Sequence, residues 1–235
     1  MQVAPENSRG LFVSSFVKGK ALLSWKGQNM GNHHKDIRTQ HTQHLKYIAK
    51  VGILSAMAAV LMGLDFPLPF APSFYQLDFS EVIVYIGSFA LGPMAGVLIE
   101  LLKNLLKIVV LGTNTAYVGE LANFITGCVL VLPAALLYKY KRSFKTAVWG
   151  MVIGTVLLSA ASVFLNYYLL IPTYSEMFHL PLETIIGMGQ AINPKITDLA
   201  SLIAFAVIPF NAFKGVVVGI LTMLLYKRVA PILKK

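Results

Sequence analysis

Five apolar stretches of this chain are each about as long as a helix that crosses the hydrocarbon core of a bilayer, which takes roughly 20 residues. Hydrophobic residues make up 56% of the sequence and charged residues only 13%, whereas soluble domains average about 25% charged. We therefore predict an all-α integral membrane protein. The stretches span residues 47–64, 93–111, 120–138, 146–171 and 200–227.

A sixth apolar stretch, 81–91, is only about half a bilayer thick, and Gly92-Pro93 joins it closely to the next one. Counted as a separate short span it gives six spans, whereas one long kinked helix over 81–111 gives five. Six spans place the basic N-terminal arm, the basic segment 138–145 and the basic C-terminal tail on one side. Because cytoplasmic loops carry an excess of Lys and Arg, we predict six transmembrane helices, the second short, with both termini cytoplasmic.

Residues 1–45 are polar and basic, and we predict a disordered extension there, followed by a single transmembrane domain over 46–235. The basic clusters flank apolar spans, which favours a membrane surface over nucleic acid as their partner. Cys128 is the only cysteine, so no intramolecular disulfide can form. The extension is rich in histidine but has no cysteine beside it, and we predict no metal site. These histidines are His33, His34, His41 and His44.

The segment between the first two spans predicts a structured outer loop. Its prolines and aromatic residues, FPLPFAPSFY over 66–75, cannot continue a helix. Asp78 and Glu81 follow, where the next helix can begin.

Small residues recur on the first span at intervals of 3, 4, 3 and 4, so they share one face of the helix. Such a face lets another helix backbone approach closely in a membrane. It either packs against helices of this chain or docks a partner subunit. The residues are Ala49, Gly52, Ala56, Ala59 and Gly63.

Polar residues also lie inside the later spans. Glu100, Lys103, Asn104 and Lys107 share one face of the third, which must point away from lipid. They form either an internal pairing or a contact with a ligand or partner. Glu120 and Asn123 follow on the first turn of the fourth span, where they either complement the helix terminus or line a pocket.

Among the polar residues inside predicted spans, Asn211 and Lys214 indicate a functional site most strongly. They lie three residues apart on one face of the last span, and a lysine there needs a cavity, a counter-charge or a ligand. Glu100 is one candidate counter-charge, and a pocket lined with hydrogen-bond donors is the alternative. Asn166, near the outer end of the fifth span, also needs a partner.

Motifs for energy coupling or catalysis are missing from the sequence. It has no GxxxxGK[ST] loop, so this chain cannot hydrolyse ATP by itself. It has no HExxH or GxSxG motif either, and we predict that it is not an enzyme. A self-sufficient secondary transporter would show two matching halves with broken helices, which we do not find.

Three segments together carry a family resemblance over about residues 47–228: FPLPFAPSFYQLDFSE…GSFALGPMAGVLIELLKNLL, GELANF and PFNAFKG. They resemble the riboflavin-specific substrate-binding (S) component of energy-coupling factor (ECF) vitamin transporters. The resemblance implies a bacterial cell-membrane protein with six helices, no cofactor, and one vitamin held near the outer face beneath the loop after the first helix. It also implies that the small-residue face of the first helix docks a transmembrane coupling subunit driven by two ATPase subunits.

The resemblance further implies ligand contacts from the last helix, the fifth helix and the outer loop. Riboflavin is neutral, with a flat ring system and a polyhydroxyl tail, so it suits apolar walls and a few aimed hydrogen-bonding groups. Phe70, Phe74, Tyr75 and Phe79 are candidate walls. The alternatives are an S component for a different vitamin or a secondary transporter. The candidate ligand-binding residues are Asn211, Lys214, Asn166, Phe74, Gln76, Leu77, Asp78, Glu120 and Asn123.

Overall fold

The computed structural model describes residues 40–113 and 115–234, and helices dominate this part, as the all-α prediction requires. The predicted disordered extension lies mostly outside the described residues, and the first helix begins at Gln40. Residues Ala49–Lys235 form one compact unit. The elements are α1 Gln40–Met62, β1 Phe66–Pro67, β2 Gln76–Leu77, α2 Ser80–Leu91, α3 Pro93–Leu111, α4 Val118–Tyr140, α5 Phe144–Leu165, α6 Ile171–Met177, α7 Leu182–Gln190, α8 Leu199–Leu202 and α9 Ile208–Lys234.

Four helical stretches in the described part are long and apolar enough to cross a membrane, so this is a membrane-embedded bundle. They are Gln40–Met62, Val118–Tyr140, Phe144–Met177 and Leu199–Tyr226. The other two predicted spans, α2 and α3, are not among these four stretches. Helix α2 has only 12 residues, and α3 has 19 residues but buries the charged side chains of Glu100 and Lys103.

The chain breaks between α2 and α3 at Gly92, whose φ of 106° lies in a region that side chains other than glycine's rarely adopt. Pro93 then occupies the first position of α3, where its missing N–H costs nothing and its fixed φ suits a helix. Helices α2 and α3 are therefore two helices, and a single kinked one over 81–111 is not observed.

Two long helical stretches contain a π-helical segment, Asn166–Leu170 between α5 and α6 and Ile203–Val207 between α8 and α9. Such segments widen a helix locally and are often found at functional sites. One begins at Asn166, and the other ends one turn before Asn211. The two interruptions therefore coincide with two of the predicted ligand-binding positions.

The segment after α1 is a short hairpin packed onto the bundle. Strands β1 and β2 pair antiparallel, with Phe66 opposite Leu77 and Pro67 opposite Gln76. Leu68, Ala71 and Leu77 are buried against Phe210 of α9. The hairpin is thus fixed to the last helix by apolar contacts.

Between the predicted fifth and sixth spans, residues 172–199 contain a helix that we did not predict, α7. Its nine residues are too few to span a bilayer. Ile185 of α7 is buried in a cluster with Ile171, Ile196 and Leu202. Tertiary packing of this cluster explains why the segment is ordered as a helix.

Helices α4 and α5 pack with their backbones in contact. A Cβ atom added at Gly154 would lie 2.1 Å from the carbonyl oxygen of Leu130, and one at Gly150 would lie 2.4 Å from the Cα of Ala134. Small residues allow this approach between membrane helices. The hydroxyl of Tyr85 also donates to the Leu130 carbonyl over 2.8 Å, which ties α2 to the same contact.

We expect Gly154→Ala to destabilise the protein by about 1–3 kcal/mol, because the new methyl group meets backbone that cannot move aside without separating two helices. Thermal unfolding of the purified protein in detergent measures the effect. The matched control is Gly52→Ala on α1, where an added Cβ has no neighbour within 4 Å and alanine favours the helix by about 0.5–1 kcal/mol. Equal melting temperatures for the two variants would contradict the close α4–α5 contact.

Candidate ligand-binding site

A cavity of about 630 Å³ lies within the bundle, a size typical of a site for one small organic molecule. The end of α1, the hairpin after it, helices α2 to α7 and the first two turns of α9 all contribute to its lining. Its walls are largely apolar and aromatic, with polar groups at separate points. The apolar and aromatic residues include Phe74, Tyr75, Leu158, Ile171, Tyr174, Phe178, Ile185, Met188 and Phe210.

The fold brings residues from distant parts of the sequence into this cavity. Among the predicted ligand-binding residues, those that line it are Asn211, Lys214, Asn166, Phe74, Gln76, Asp78, Glu120 and Asn123. Leu77 instead points to the opposite face of β2 from Gln76, since side chains alternate along a strand, and it is buried against Phe210. Of the predicted aromatic walls, Phe74 and Tyr75 line the cavity, whereas Phe70 and Phe79 are not among its lining residues.

Lys214 forms an ion pair with Asp78, with 2.9 Å between Nζ and Oδ2. The counter-charge of Lys214 is therefore Asp78 and not Glu100, which the sequence alone had suggested. The other oxygen of Asp78 accepts hydrogen bonds from the backbone N–H of Ser80, over 2.8 Å, and from its hydroxyl. The pair joins the start of α2 to α9 across 136 residues of sequence.

The pKa of Asp78 reflects this arrangement. Burial by itself raises the pKa of the carboxyl, but the ammonium groups of Lys214 and Lys103 outweigh burial and lower it to about 2. A lowered pKa contributes stability above the unfolded value of about 3.9, and that stability is lost as the pH falls towards 2. The pair is thus ionised throughout the physiological pH range.

Two carboxamides of the cavity are held in fixed orientations. The Asn166 amide nitrogen donates to the Ser162 carbonyl over 2.8 Å, and the Asn211 amide nitrogen donates to the Val207 carbonyl over 2.9 Å. Both accepting carbonyls lie one turn earlier in the same helical stretch. The Tyr75 hydroxyl donates to Oδ1 of Asn166 over 2.6 Å, and this bond links the hairpin to the π-helical segment. Burial raises the pKa of Tyr75, so the hydroxyl retains its proton.

A second ion pair lies on another part of the wall. Lys107 Nζ is 2.6 Å from Oε1 of Glu120. The other carboxylate oxygen, Oε2, accepts hydrogen bonds of 2.9 Å from the hydroxyls of Thr113 and Thr115. Beside this pair, Asn123 donates to the side chain of Asn104 over 3.3 Å. Glu120 therefore pairs with α3 as well as lining the cavity.

The remaining polar residues of α3 form a buried ionic cluster, which we call the α2–α3 cluster: Glu81, Glu100 and Lys103. Lys103 Nζ lies 2.7 Å from Glu81 and 2.9 Å from Glu100, and it donates to the Ser80 hydroxyl over 2.9 Å. All three side chains are at most 1% exposed. The internal pairing is thus the correct interpretation of Glu100 and Lys103, and Ser80 connects their cluster to Asp78.

The small-residue face of α1 is mostly uncovered in the described part of the chain. Ala49, Gly52 and Ala56 are exposed, and Ala59 is partly exposed. The opposite face of α1 points inward, with Val51, Leu54 and Ala58 buried. Gly63, at the end of the stripe, approaches Leu111 of α3. Gly63 is nevertheless exposed, so packing within the described part of this chain covers little of the stripe.

We did not predict that α6, α7 and the turn between them contribute to the cavity, with Tyr174, Phe178 and Ile185. Their aromatic and apolar character suits a membrane interface or a core equally well, so the sequence holds no signal that sets them apart. We also did not predict the role of Ser80, whose hydroxyl links two ion pairs. An alternation of serine and acid residues at a helix start is too common to indicate such a role.

A bundle of apolar helices around a partly polar cavity is the architecture of a membrane protein that binds a small molecule. The sequence model of one protein family, the ECF transporter substrate-specific component, matches residues 46–226 of this chain. The chain belongs to this family. It is accordingly a transporter component and not an enzyme, and the resemblance stated from its motifs is confirmed.

Proteins similar to this chain in sequence include two riboflavin transporters. RibU of Staphylococcus aureus (strain TCH60) is 37% identical over 198 residues, which are 84% of this chain and 97% of the relative. FmnP of Bacillus subtilis (strain 168) is 32% identical over 190 residues, which are 80% and 93% of the two chains. A solved structure described as the S component of a bacterial ECF transporter superposes with a TM-score of 0.63 at 36% identity, covering 81% of this chain and 98% of the other.

Proposed function

We propose that this chain is the riboflavin-binding subunit of an ECF-type importer in a bacterial cell membrane. It captures the vitamin at the outer face and delivers it together with a transmembrane coupling subunit and two ATPase subunits. The termini are cytoplasmic, and α2 and α3 complete a set of six membrane helices. The observation that carries the proposal is the meeting of Asn166, Asn211 and Lys214 in one cavity with aromatic walls.

The chemistry of the cavity suits a flavin. A flat, apolar-bodied ring system packs favourably against aromatic side chains such as Tyr75, Tyr174 and Phe210. The imide edge and the hydroxyl tail of riboflavin need both donors and acceptors. The two fixed carboxamides offer both, and the Lys214 ammonium offers donors. Both relatives described above are named riboflavin transporters, which supports the same ligand.

Titration of the purified protein with riboflavin tests the proposal, because flavin fluorescence changes when the ring enters an aromatic site. We expect saturable binding of one riboflavin per chain, and thiamine, a cationic vitamin, should not compete. Absence of saturable riboflavin binding would overturn the ligand assignment. Riboflavin uptake by the chain alone in proteoliposomes, driven by a proton gradient, would instead favour a self-sufficient secondary transporter.

Docking through α1 gives a separate prediction. We expect Ala56→Leu to reduce recovery of the chain with a co-expressed ECF module at least about tenfold, because a bulky side chain on the exposed stripe prevents close helix contact. Riboflavin binding by the isolated variant should not change. The control is Val109→Phe, which adds bulk on α3 at a position that is 81% exposed. Equal co-purification of both variants would exclude the stripe as the docking face.

A further inference from the structure

A groove of about 460 Å³ lies between α5 and α9, and we call it the α5–α9 groove. Its lining comes from residues 144–156 and 215–224, and it shares no lining residue with the ligand cavity. Thr155 supplies the only polar side chain among its described lining residues, and the hydroxyl donates to the Met151 carbonyl over 2.9 Å. The α5–α9 groove therefore suits an apolar occupant.

The rim of the α5–α9 groove faces the surroundings of the bundle. Val156, Val216 and Leu224 line it and are exposed. Both helices belong to stretches that are long and apolar enough to cross a membrane. The side chains on the rim are therefore placed to contact lipid.

Two glycines four residues apart, Gly215 and Gly219, shape the α9 side of the groove. This spacing often joins two membrane helices. A Cβ added at Gly215 would lie 2.4 Å from the Thr155 hydroxyl oxygen, so α5 already packs against this glycine. At Gly219 the nearest neighbour of an added Cβ is Met151 Sδ at 3.8 Å, which leaves a depression. The contact with α5 favours a flexible acyl chain over a second helix as the occupant.

The length of the α5–α9 groove matches one leaflet of a bilayer. Residues 144–156 span about 18 Å and residues 215–224 about 14 Å, at the helical rise of about 1.5 Å per residue. One leaflet contributes about 15 Å, half of the hydrocarbon core. The α5–α9 groove thus accommodates an acyl chain from a single leaflet.

One end of the groove adjoins a cluster of cations, which we call the basic segment, residues 139–145. Phe144 belongs to this segment and also lines the groove. On α9, Tyr226 follows the lining residue Leu224 by two positions and interacts electrostatically with Arg142. The basic segment therefore lies near both helices at the same end of the groove. Its basic side chains are all exposed: Lys139, Lys141, Arg142 and Lys145.

These cations have no carboxylate partner among the described residues. The sequence has no Asp or Glu between Glu120 and Glu176 and none after Asp198, so α5 and α9 carry no carboxylate. An excess of Lys and Arg in a short loop sets the orientation of a membrane protein. Orientation does not require an apolar groove that begins beside the same loop. An occupant with an apolar chain and a negatively charged head matches both features.

We propose that the α5–α9 groove and the basic segment together bind one anionic phospholipid. One acyl chain lies in the groove, and the headgroup phosphate contacts Arg142 and Lys145. Basic residues beside a membrane helix attract anionic headgroups, and a guanidinium group binds phosphate oxygens in a bidentate manner. The inference does not depend on which vitamin the cavity binds.

Native mass spectrometry of the purified chain tests this site. The chain is first incubated with an equimolar mixture of phosphatidylglycerol and phosphatidylcholine that carry identical acyl chains. We expect one retained lipid per chain. Phosphatidylglycerol should be retained at least about tenfold more than phosphatidylcholine, because two cations beside the headgroup favour an anionic lipid by this order of magnitude.

Two variants separate the contributions of charge and groove. Arg142→Gln with Lys145→Gln should abolish the preference for phosphatidylglycerol and leave retention of phosphatidylcholine unchanged. Gly219→Leu places a side chain in the depression beside Met151. It should reduce retention of both lipids at least about tenfold, because the acyl chain loses its place.

Each variant has a matched control. Lys46→Gln with Lys195→Gln removes the same charge at exposed positions away from the groove. Gly52→Leu adds the same side chain at a glycine of α1 whose added Cβ has no neighbour within 4 Å. Both controls should retain lipid as wild type does.

Three results would overturn the inference: equal retention of the two lipids by wild type, an unchanged preference in the basic double variant, or full retention by Gly219→Leu. The same spectra report the oligomeric state. A wild-type dimer that Gly219→Leu converts to a monomer would show that the groove binds a second copy of the chain, which would also overturn the lipid assignment. If Gly219→Leu does not fold, the basic double variant alone decides the outcome.

Discussion

Lys103→Met should lower the stability of the protein by about 3–5 kcal/mol, the largest effect that we expect from a single substitution outside the cavity. Its ammonium group faces Glu81 and Glu100 at 2.7 and 2.9 Å, and the three side chains are at most 1% exposed. Removal of the cation leaves two carboxylates buried beside each other without a counter-charge. Thermal unfolding in detergent should show a drop in melting temperature of about 10 °C.

A triple variant distinguishes the loss of charge balance from the loss of packing. Glu81→Gln, Glu100→Gln and Lys103→Met together make the α2–α3 cluster neutral with little change in volume. We expect this variant to recover most of the stability, because the cost of an ion pair broken on one side is mainly that of the uncompensated charge. The control Lys195→Met, at an exposed loop position, should have little effect. A single variant as stable as wild type, or a triple variant less stable than the single one, would contradict this account.

Lys214→Met should weaken riboflavin binding by about 10- to 100-fold, which corresponds to the loss of a hydrogen bond from a charged donor of about 1.5–3 kcal/mol. The same substitution also leaves Asp78 unpaired, so part of the effect on the protein is structural. Fluorescence titration gives the affinity, and thermal unfolding reports on folding. Asn211→Leu, which has a similar shape, should weaken binding without changing the charge of the site.

The double variant Asp78→Asn with Lys214→Met separates binding from folding. It removes both charges of the ion pair, so its melting temperature should return towards that of wild type. Its affinity for riboflavin should remain low, since the ammonium donor is still absent. If the double variant binds riboflavin as tightly as wild type, Lys214 serves the fold only and contributes nothing to the ligand.

Several features of this fold follow from local rules and were therefore predictable. A glycine followed by proline ends one helix and begins the next, and the chain does break at Gly92. An acid and a lysine three residues apart on a helix can pair, as Glu100 and Lys103 do. Helix α7 was not predicted, because its order comes from the burial of Ile185 against residues distant in sequence.

In the candidate site, too, some features could be predicted from the sequence and others depend on tertiary packing. Asn166, Asn211 and Lys214 stood out in the sequence because lipid does not solvate an amide or an ammonium group, so such residues must face the interior. Their common cavity depends on how helices from different parts of the chain pack. No spacing along one helix indicates that Lys214 meets Asp78, which lies 136 residues earlier, or that Tyr75 meets Asn166.

The sequence by itself determined the membrane class, the helical fold and the family, because the hydrophobicity of each residue and the motifs act locally. Only the tertiary structure decided the partner of each buried charge, since that depends on distances between helices. It paired Lys214 and Lys107 with carboxylates, and it left most of the small-residue face of α1 uncovered. The pairing of both cavity lysines and the exposure of this helix face in the described part of the chain are both results of packing.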